Sequence, residues 1–306
     1  MLRSTILLAS RNATVKNLVA HAPVSRNVVR RFVAGESVDD AVSATRRLAS
    51  DGLKVSLDRL GEDTRDVGMA EATTKAYLQL IGRLADEGLT SGAEMSVKCS
   101  AVGQSLDEQL AIDNVRTICG AAGIAGTAVT LDMEDHTTTD STLGILRELR
   151  RDFPDTGAVL QAYLHRTESD CRDLAYEGSR VRLCKGAYNE PASVAFQGRV
   201  AVDRSFVRCL KVLVAGAGYP MVASHDPRLV AITVSLVERS GRAKGTYEYQ
   251  MLYGIRPDEQ RRLVRAGETV RVYLPYGDEW YGYLMRRLAE RPANVTFFLR
   301  ALATRG

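Results

Sequence analysis

Short runs of apolar and β-branched residues alternate along this chain with longer amphipathic stretches. The amphipathic stretches have helical length and cover residues 70–87, 106–121, 139–153, 167–177, 199–215, 228–239 and 258–266. The apolar runs predict eight strands, at 53–57, 94–100, 128–133, 157–164, 179–184, 220–224, 245–252 and 269–275. Eight strands alternating with helices over ~250 residues predict a (β/α)8 barrel, and near-continuous apolar strands are typical of a parallel sheet covered by helices. A doubly wound open sheet is the alternative.

Helical segments are also predicted before and after this alternation. The first fifty residues have helical periodicity, and Ser37 followed by acidic residues is typical of an N-cap, here of a helix that runs to about Ala49. We therefore expect a single domain over 1–306. It consists of a helical preface at 1–50, followed by the barrel and a capping helix at 53–294.

The last predicted helix, 281–291, concentrates charge on one face. Tyr283, Arg286, Arg287 and Glu290 are spaced i, i+3, i+4 and i+7. Two adjacent guanidiniums can bind a carboxylate in bidentate fashion, and a tyrosine ring gives a flat ligand a packing surface. The alternative is a solvated helix with internal salt bridges.

Polar side chains gather at the carboxyl ends of the predicted strands, which is where barrel enzymes carry their chemistry. Because several of them are charged, whereas an ordinary rim needs only small polar residues, we predict a binding or catalytic mouth. The residues at these ends are Asp58, Glu62, Lys98, Asp132, Glu134, Gln161, Tyr163, Arg182, Lys185, Ser224, His225, Glu248, Gln250 and Tyr273.

The fifth predicted strand brings two cations and a glycine to this mouth in the stretch Arg182-Leu-Cys-Lys-Gly-Ala-Tyr188. Cations beside apolar residues are costly to bury unless an anion meets them, so we expect them to serve a bound ligand. Gly186 lets the backbone come close to such a ligand because it has no Cβ. The alternative is a strand end whose two cations extend to solvent.

The amino-acid composition indicates a globular protein and argues against nucleic-acid binding. The 306 residues are 45% apolar and 25% charged, which indicates a globular chain. The net charge of +4, from 41 Lys+Arg against 37 Asp+Glu, is too small and too interspersed for a nucleic-acid binder. Five cysteines without C-x-x-C spacing favour buried thiols in a reducing compartment.

No membrane-spanning or secretory segment is predicted. The apolar run at 6–9 is far shorter than a signal-peptide core or a membrane span. We therefore expect a cytoplasmic protein whose membrane contact, where there is any, is peripheral and at the inner face.

Metal and nucleotide motifs are weak in this chain. Asp132 and Glu134 share a strand face, but the four histidines show no i, i+4 pair, so carboxylates that orient cations or a cofactor ribose are favoured over a metal site. The glycines at 120–126 lack the G-x-G-x-x-G spacing and precede a strand, so they are not a Rossmann fingerprint. There is also no P-loop and no G-x-S-x-G motif.

Several short motifs occur in one order along the chain. They are Asp58-Arg-Leu-Gly-Glu62, Ser96-Val-Lys-Cys-Ser100, Asp132-Met-Glu134, Gln161-Ala-Tyr-Leu164, Arg182-Leu-Cys-Lys-Gly-Ala-Tyr188, Glu248-Tyr-Gln-Met-Leu252 and Tyr273-Leu-Pro-Tyr-Gly277, followed by Arg286-Arg287. Together they resemble the proline dehydrogenases over about 53–294. The resemblance implies an FAD enzyme on a distorted (β/α)8 barrel, with a flavin site that has no Rossmann fingerprint.

The resemblance also implies roles for individual residues. Asp132 and Arg182 occupy the catalytic positions of the family, and an ion pair between Glu62 and Arg286 closes the mouth over bound substrate. Lys98, Arg286 and Arg287 hold the proline carboxylate, while Tyr273, Tyr283 and Leu252 enclose the pyrrolidine ring. The FAD contacts are Met133, Gln161, Lys185, Gly186, Ala187, Ser224 and His225, where Ser224 replaces the usual threonine and keeps the hydroxyl.

The implied reaction is oxidation of L-proline to Δ1-pyrroline-5-carboxylate by hydride transfer to noncovalent FAD, with electrons passed to a membrane quinone. We expect a separate pyrroline-5-carboxylate dehydrogenase to take the product, because 306 residues leave no space for a second enzyme domain. Two alternatives stay open. One is a barrel aldolase, either metal-assisted or with Lys98 or Lys185 as a Schiff-base amine, and the other is a non-enzymatic surface that binds RNA or an acidic partner.

Overall fold

The eight strands form a closed parallel barrel in which each strand pairs with its neighbours in sequence and β1 pairs with β8. The computed structural model describes residues 29–61 and 64–290, with side chains as far as residue 285. The barrel prediction is confirmed, and the open-sheet alternative is wrong. The strands are β1 Lys54–Arg59, β2 Ala93–Lys98, β3 Ala128–Asp132, β4 Gly157–Gln161, β5 Arg180–Cys184, β6 Tyr219–Ala223, β7 Glu248–Leu252 and β8 Val270–Tyr276.

Helices connect the strands and surround the barrel. Their starts follow local capping. Ser37 is the N-cap, as predicted, and it also forms a capping box with Asp40, while aspartates such as Asp66 and Asp226 cap other helices. The helices are α1 Val38–Ser50, α2 Val67–Asp86, α3 Glu108–Ile124, α4 Thr139–Leu149, α5 Thr167–Asp173, α6 Arg199–Ala215, α7 Pro227–Arg239, α8 Pro257–Arg265 and α9 Trp280–Glu290.

The hydrophobic core lies between the strands and the surrounding helices. Val181 and Leu183 of β5, for example, belong to one apolar cluster with Phe206 and Leu210 of α6. The alternate positions of β5, Arg180 and Arg182, instead contact residues across the barrel interior. The expectation of near-continuous apolar strands holds for β4 and β6, but β1, β5 and β7 alternate between polar and apolar residues. They alternate because their inward positions carry polar side chains while their outward positions are covered by helices.

A second apolar cluster joins the two ends of the described chain. Phe32 and Val33 pack with Leu60 and with Trp280 and Leu284 of α9. The Trp280 indole donates to Glu36 at 3.0 Å, and the backbone N–H of Ala34 donates to Pro275 at 2.9 Å. These contacts place α9 against β8 and the mouth of the barrel. The part of the helical preface before residue 29 lies outside the described residues.

Within residues 29–61 and 64–290, the helices are each too short or too polar to cross a membrane.

Candidate active site

A cavity of about 930 Å³ opens at the carboxyl ends of the strands. Every residue to which the family resemblance assigns a role, and whose side chain the structure describes, lines it. Of the other strand-end residues predicted at the mouth, Asp58, Tyr163 and Gln250 also line the cavity, whereas Glu134 and Glu248 do not. Glu248 lies at the start of β7, where it pairs with Arg271, so its placement at the carboxyl end is wrong. Glu62 lies outside the described residues, and so do the side chains of Arg286 and Arg287. The predicted residues that line the cavity are Lys98, Asp132, Met133, Gln161, Arg182, Lys185, Gly186, Ala187, Ser224, His225, Leu252, Tyr273 and Tyr283.

Arg182 lies at the base of the cavity and is 4% exposed. Its guanidinium donates to Asp132 at 2.7 Å and to Glu94 at 2.6 Å, and three further donor contacts reach Ser56, Ser96 and Gln250. Burial lowers the pKa of Arg182, but Asp132 and Glu94 outweigh that effect and hold it above its usual value. The interpretation that Arg182 needs an anionic ligand is therefore wrong, because carboxylates of the protein neutralise it.

Asp132, at the end of β3, is held in a fixed orientation by three donors. Its Oδ1 accepts from Arg182 and, at 2.8 Å, from the Ser96 hydroxyl, while its Oδ2 accepts from the Tyr273 hydroxyl at 2.7 Å. The Arg182 guanidinium also stacks over the Tyr273 ring at 5.4 Å. Burial raises the pKa of Tyr273 well above its usual value, and Asp132 and Asp58 raise it further, so the hydroxyl stays protonated and donates.

Lys98 and Asp58 form a buried ion pair beside Asp132. The Lys98 Nζ is 2.6 Å from Asp58 Oδ1, and both side chains are less than a tenth exposed. Asp58 is an interior residue of β1 and not, as expected, a residue that follows the strand. Burial raises the pKa of Asp58 more than the positive charge of Lys98 lowers it. The pair presents an ammonium to the cavity with its counter-charge directly behind.

Lys185, at the outer part of the cavity, is also ion-paired with carboxylates of the protein. Its Nζ lies 2.5 Å from Asp203 and 3.3 Å from Asp226, and these carboxylates also contact Arg228. Hydrogen bonds from Arg228 in particular lower the pKa of Asp226. The sequence interpretation missed both aspartates. Asp226 could have been found, because an aspartate before Pro227 is a helix N-cap signal directly after a strand end.

Gly186 makes a close approach to a side chain. Its φ is +103°, and a Cβ at this position would lie 2.3 Å from the Tyr163 ring. A glycine is therefore required because Tyr163 packs against the backbone here, in addition to any ligand contact. After the neighbouring strand β6, His225 Nε2 accepts from the Leu252 N–H at 2.8 Å, which fixes the orientation of the imidazole.

Beyond the predicted Lys185–Ala187, the segment after β5 contributes much of the cavity wall, and the sequence interpretation assigned no site residue to that part. The sequence of this segment has no helix or strand periodicity, because most of it is a loop that folds over the cavity. The cavity-lining residues of this segment and the start of α6 are Tyr188, Asn189, Glu190, Phe196, Gln197, Gly198, Arg199, Val202 and Asp203.

Glu134, from the motif Asp132-Met-Glu134, follows β3 and forms hydrogen bonds with another residue of the chain. Its carboxylate accepts from the Ser100 hydroxyl at 2.6 Å and the Ser100 N–H at 3.2 Å. Among the residues that the structure describes, no group of three His, Cys, Asp or Glu side chains is arranged to hold a metal ion.

The family model described as proline dehydrogenase matches residues 41–300 of this sequence. The chain belongs to the proline dehydrogenase family. It is 39% identical over 302 residues to proline dehydrogenase 1 of Bacillus subtilis, with 99% of both chains covered. It is also 39% identical over 281 residues to the proline dehydrogenase of Deinococcus radiodurans, with 90% of both covered. The chain is an oxidoreductase of the proline dehydrogenase type.

Solved structures of proline utilization A share the fold. The structure from Bdellovibrio bacteriovorus, inactivated by N-propargylglycine, has a TM-score of 0.81 at 24% identity, over 95% of this chain and 36% of that one. A mutant structure from Bradyrhizobium japonicum has a TM-score of 0.73 at 22% identity, over 90% of this chain and 32% of that one. This chain thus spans about a third of each of those longer proteins, and the likeness shows the fold of that part.

Proposed function

We propose that this chain oxidises L-proline to Δ1-pyrroline-5-carboxylate with FAD bound in the barrel-mouth cavity. The observation that supports this best is the convergence of the predicted residues on one cavity, in a chain of the proline dehydrogenase family. These residues come from seven different strand ends and from α9, so sequence proximity cannot explain their convergence.

The residues of the cavity fit a flavin dinucleotide. Its volume of about 930 Å³ lies within the range of cofactor sites. Lys185, Arg199 and Arg228 share the two carboxylates of Asp203 and Asp226, so these three cations leave positive charge for phosphates at the outer part. Polar contacts along the wall are offered by Gln161, Ser224 and His225. When bound, FAD supplies the acceptor for the electron pair that leaves the carbon beside the proline nitrogen.

The side chains of the chain itself bind and orient the substrate. Lys98 presents an ammonium to the cavity, and Arg286 and Arg287 are the proposed partners of the proline carboxylate. Tyr273 and Leu252 provide the surfaces against which the pyrrolidine ring packs. Asp132 and Tyr273 are held by Arg182, so the substrate meets groups that need no reorganisation.

The contacts of the two lysines argue against an aldolase. A Schiff-base lysine needs a side-chain nitrogen that is free to attack a carbonyl group, whereas the Nζ atoms of Lys98 and Lys185 are held by Asp58 and Asp203 at 2.6 and 2.5 Å. We propose that the electrons taken from proline pass to a quinone-type acceptor at the membrane. A separate dehydrogenase then consumes the product, Δ1-pyrroline-5-carboxylate.

An anaerobic absorbance spectrum tests the proposed function. The purified protein should be yellow, L-proline should bleach the flavin bands, and acid precipitation should release all the colour because the flavin is noncovalent. N-propargylglycine, which inactivates the Bdellovibrio protein, should inactivate this one too. A colourless protein that does not bind added FAD would contradict the proposal.

The carboxylate site has its own test. Arg287→Met should raise the KM for L-proline by roughly 10- to 150-fold with little change in FAD content, because it removes a charge-assisted partner. Arg265→Met is the matched control, since Arg265 is exposed on α8. An unchanged KM would remove Arg287 from the site.

The mouth gate stays a proposal that rests on the family resemblance. The pairing of β1 with β8 brings together the strands after which Glu62 and Arg286 occur. Glu62→Ala and Arg286→Ala should each slow proline oxidation, and the double variant should be less impaired than the product of the two single effects. Multiplicative effects would show that the two residues act separately.

A further inference from the structure

Glu190 is a nearly buried carboxylate in the cavity wall. It lies in the segment after β5, and its side chain is 3% exposed. A buried carboxylate is costly unless donors surround it, and a neutral or apolar residue would be cheaper at such a position. The donors of Glu190 therefore indicate what the residue is for.

Those donors come from two other strand-end loops. The His136 N–H, after β3, donates to Glu190 Oε1 at 2.9 Å, and the His136 imidazole Nδ1 contacts Glu190 Oε2. The Tyr163 hydroxyl, after β4, is 3.2 Å from Glu190 Oε1. Burial raises the pKa of Tyr163, and Glu190 raises it further, so the hydroxyl stays protonated as a donor. One carboxylate thus joins the loops that follow β3, β4 and β5.

Tyr163 also contacts Lys185 and Gly186, which are proposed to bind the flavin. Its ring packs on the bare face of Gly186, and its N–H donates to the Lys185 carbonyl at 2.9 Å. Its own carbonyl accepts from the Phe196 N–H at 2.7 Å. The position of Tyr163 therefore fixes the backbone on both sides of the segment that contains Glu190.

We propose that His136, Tyr163 and Glu190 form a loop clamp, in which Glu190 is a positioning residue that holds the Lys185–Ala187 backbone in its flavin-binding arrangement. This inference rests on the proposed FAD function. Glu190 lines the cavity, but its carboxylate is directed to the neighbouring loops, so the clamp controls cofactor affinity more than substrate binding.

The test compares two glutamates with similar partners. Glu190→Ala should raise the Kd for FAD by about tenfold or more, because several hydrogen bonds to a charged group are lost at once. The KM for L-proline at saturating FAD should stay within about twofold. The control is Glu268→Ala, since Glu268 accepts from the Tyr247 hydroxyl at 2.7 Å and pairs with Lys244, but lies before β8 at the opposite end of the barrel.

A second readout does not depend on flavin. Without FAD, amide hydrogen exchange at residues 186–197 should be faster in Glu190→Ala than in wild type, and Glu268→Ala should leave it unchanged. Glu190→Gln should restore much of the protection, because its amide oxygen still accepts from His136 and Tyr163.

The outcomes separate the clamp from the proposed function. A wild-type chain that does not bind FAD would contradict the proposed function, and hydrogen exchange would then decide on the clamp alone. A Kd within about twofold of wild type for Glu190→Ala, or unchanged exchange at 186–197, would overturn the clamp. If Glu190→Ala does not fold, Tyr163→Phe decides, with an expected weakening of FAD binding of about threefold or more from one lost hydroxyl.

Discussion

The outer face of the barrel strands is held by apolar packing, whereas the inner face is held by hydrogen bonds and ion pairs. On β5, Leu183 is fully buried on the outer face among the apolar residues of the helices. The adjacent Arg182 points into the barrel and contacts side chains from β1, β2, β3 and β7. Neighbouring residues of one strand thus serve two environments.

The difference separates stability from function. Apolar burial is non-directional and shared among many contacts, so the outer face tolerates changes of shape better than changes of size. Buried ion pairs are directional, and similar apolar side chains would often be at least as stable in their place. The charged interior is therefore better explained by the fixed orientation it gives to Asp132 and Tyr273 than by a gain in stability.

The largest expected effect comes from exchanging Arg182. Arg182→Met leaves Asp132 buried without its cation, and breaking a buried pair in this way costs about 3–5 kcal/mol. Glu94 keeps Arg180 and Arg271 as partners. Proline oxidation should also be lost, because Arg182 orients Asp132. Chemical denaturation measures the first effect and steady-state kinetics the second.

The neighbouring Leu183→Met is the control for this variant. It introduces the same side chain at the next position on the outer face, and a volume-conserving exchange should cost less than ~1.5 kcal/mol. Equal losses of unfolding free energy in the two variants would remove the distinction between the two faces.

A large-to-small change on the outer face should affect stability alone. Leu131→Ala empties a fully packed position on β3, next to Asp132, and should lower the free energy of unfolding by about 2–5 kcal/mol. At a temperature where this variant is folded, its flavin content and its KM for L-proline should match wild type. A large rise in KM would mean that outer packing also positions Asp132.

The inner face should contribute a distinct dependence of stability on pH. Burial raises the pKa of Glu94, but Arg271, Arg180 and Arg182 outweigh it, so the pKa lies below the usual 4.5. Because the folded-state pKa is lowered, Glu94 stabilises the fold fully above pH ~4.5 and loses that contribution as the pH falls toward its folded pKa. The loss approaches ~1.4 kcal/mol per pH unit for this one proton.

Glu94→Gln tests this contribution. The variant is less stable at neutral pH, but its unfolding free energy should fall less steeply below pH ~4.5 than that of wild type. Leu131→Ala should shift the whole curve downward without changing its slope. Denaturant titrations at several pH values measure both, and parallel curves for Glu94→Gln and wild type would contradict the prediction.

Much of this architecture could be predicted because each outer-face element carries its own local pattern. Predicted and observed elements agree to within a few residues at most ends, with α6 at 199–215 an example. The residues at strand ends could also be placed, since parallel strands bring their carboxyl ends to one mouth. Asp58 was placed after β1 because the apolar run ends at Leu57, whereas pairing with β8 continues the strand to Arg59.

The inner network could not be predicted because its partners are distant in sequence. Ser56 and Arg182 are 126 positions apart, and only the register of the closed barrel brings them together. The alternation of polar and apolar residues in Lys54–Arg59 does show that one face is polar, and it was the available sign of this interior. The loop contacts of Glu190 have no periodic pattern at all.

The smallest expected effects come from removing one tyrosine hydroxyl in the barrel interior and one on the outer side of the barrel. Tyr273 donates to Asp132 at 2.7 Å in the interior, and Tyr247 donates to Glu268 at 2.7 Å on the outer side. Burial raises the pKa of both phenols above the usual value, so both hydroxyls are protonated at ordinary pH. Tyr273→Phe and Tyr247→Phe should therefore each cost a similar ~0.5–1.5 kcal/mol of unfolding free energy. Only Tyr273→Phe should alter the kcat or KM for L-proline, because only its partner lines the cavity. If Tyr247→Phe changed the kinetics as much, the activity would depend on the stability of the barrel as a whole and not on the orientation of Asp132.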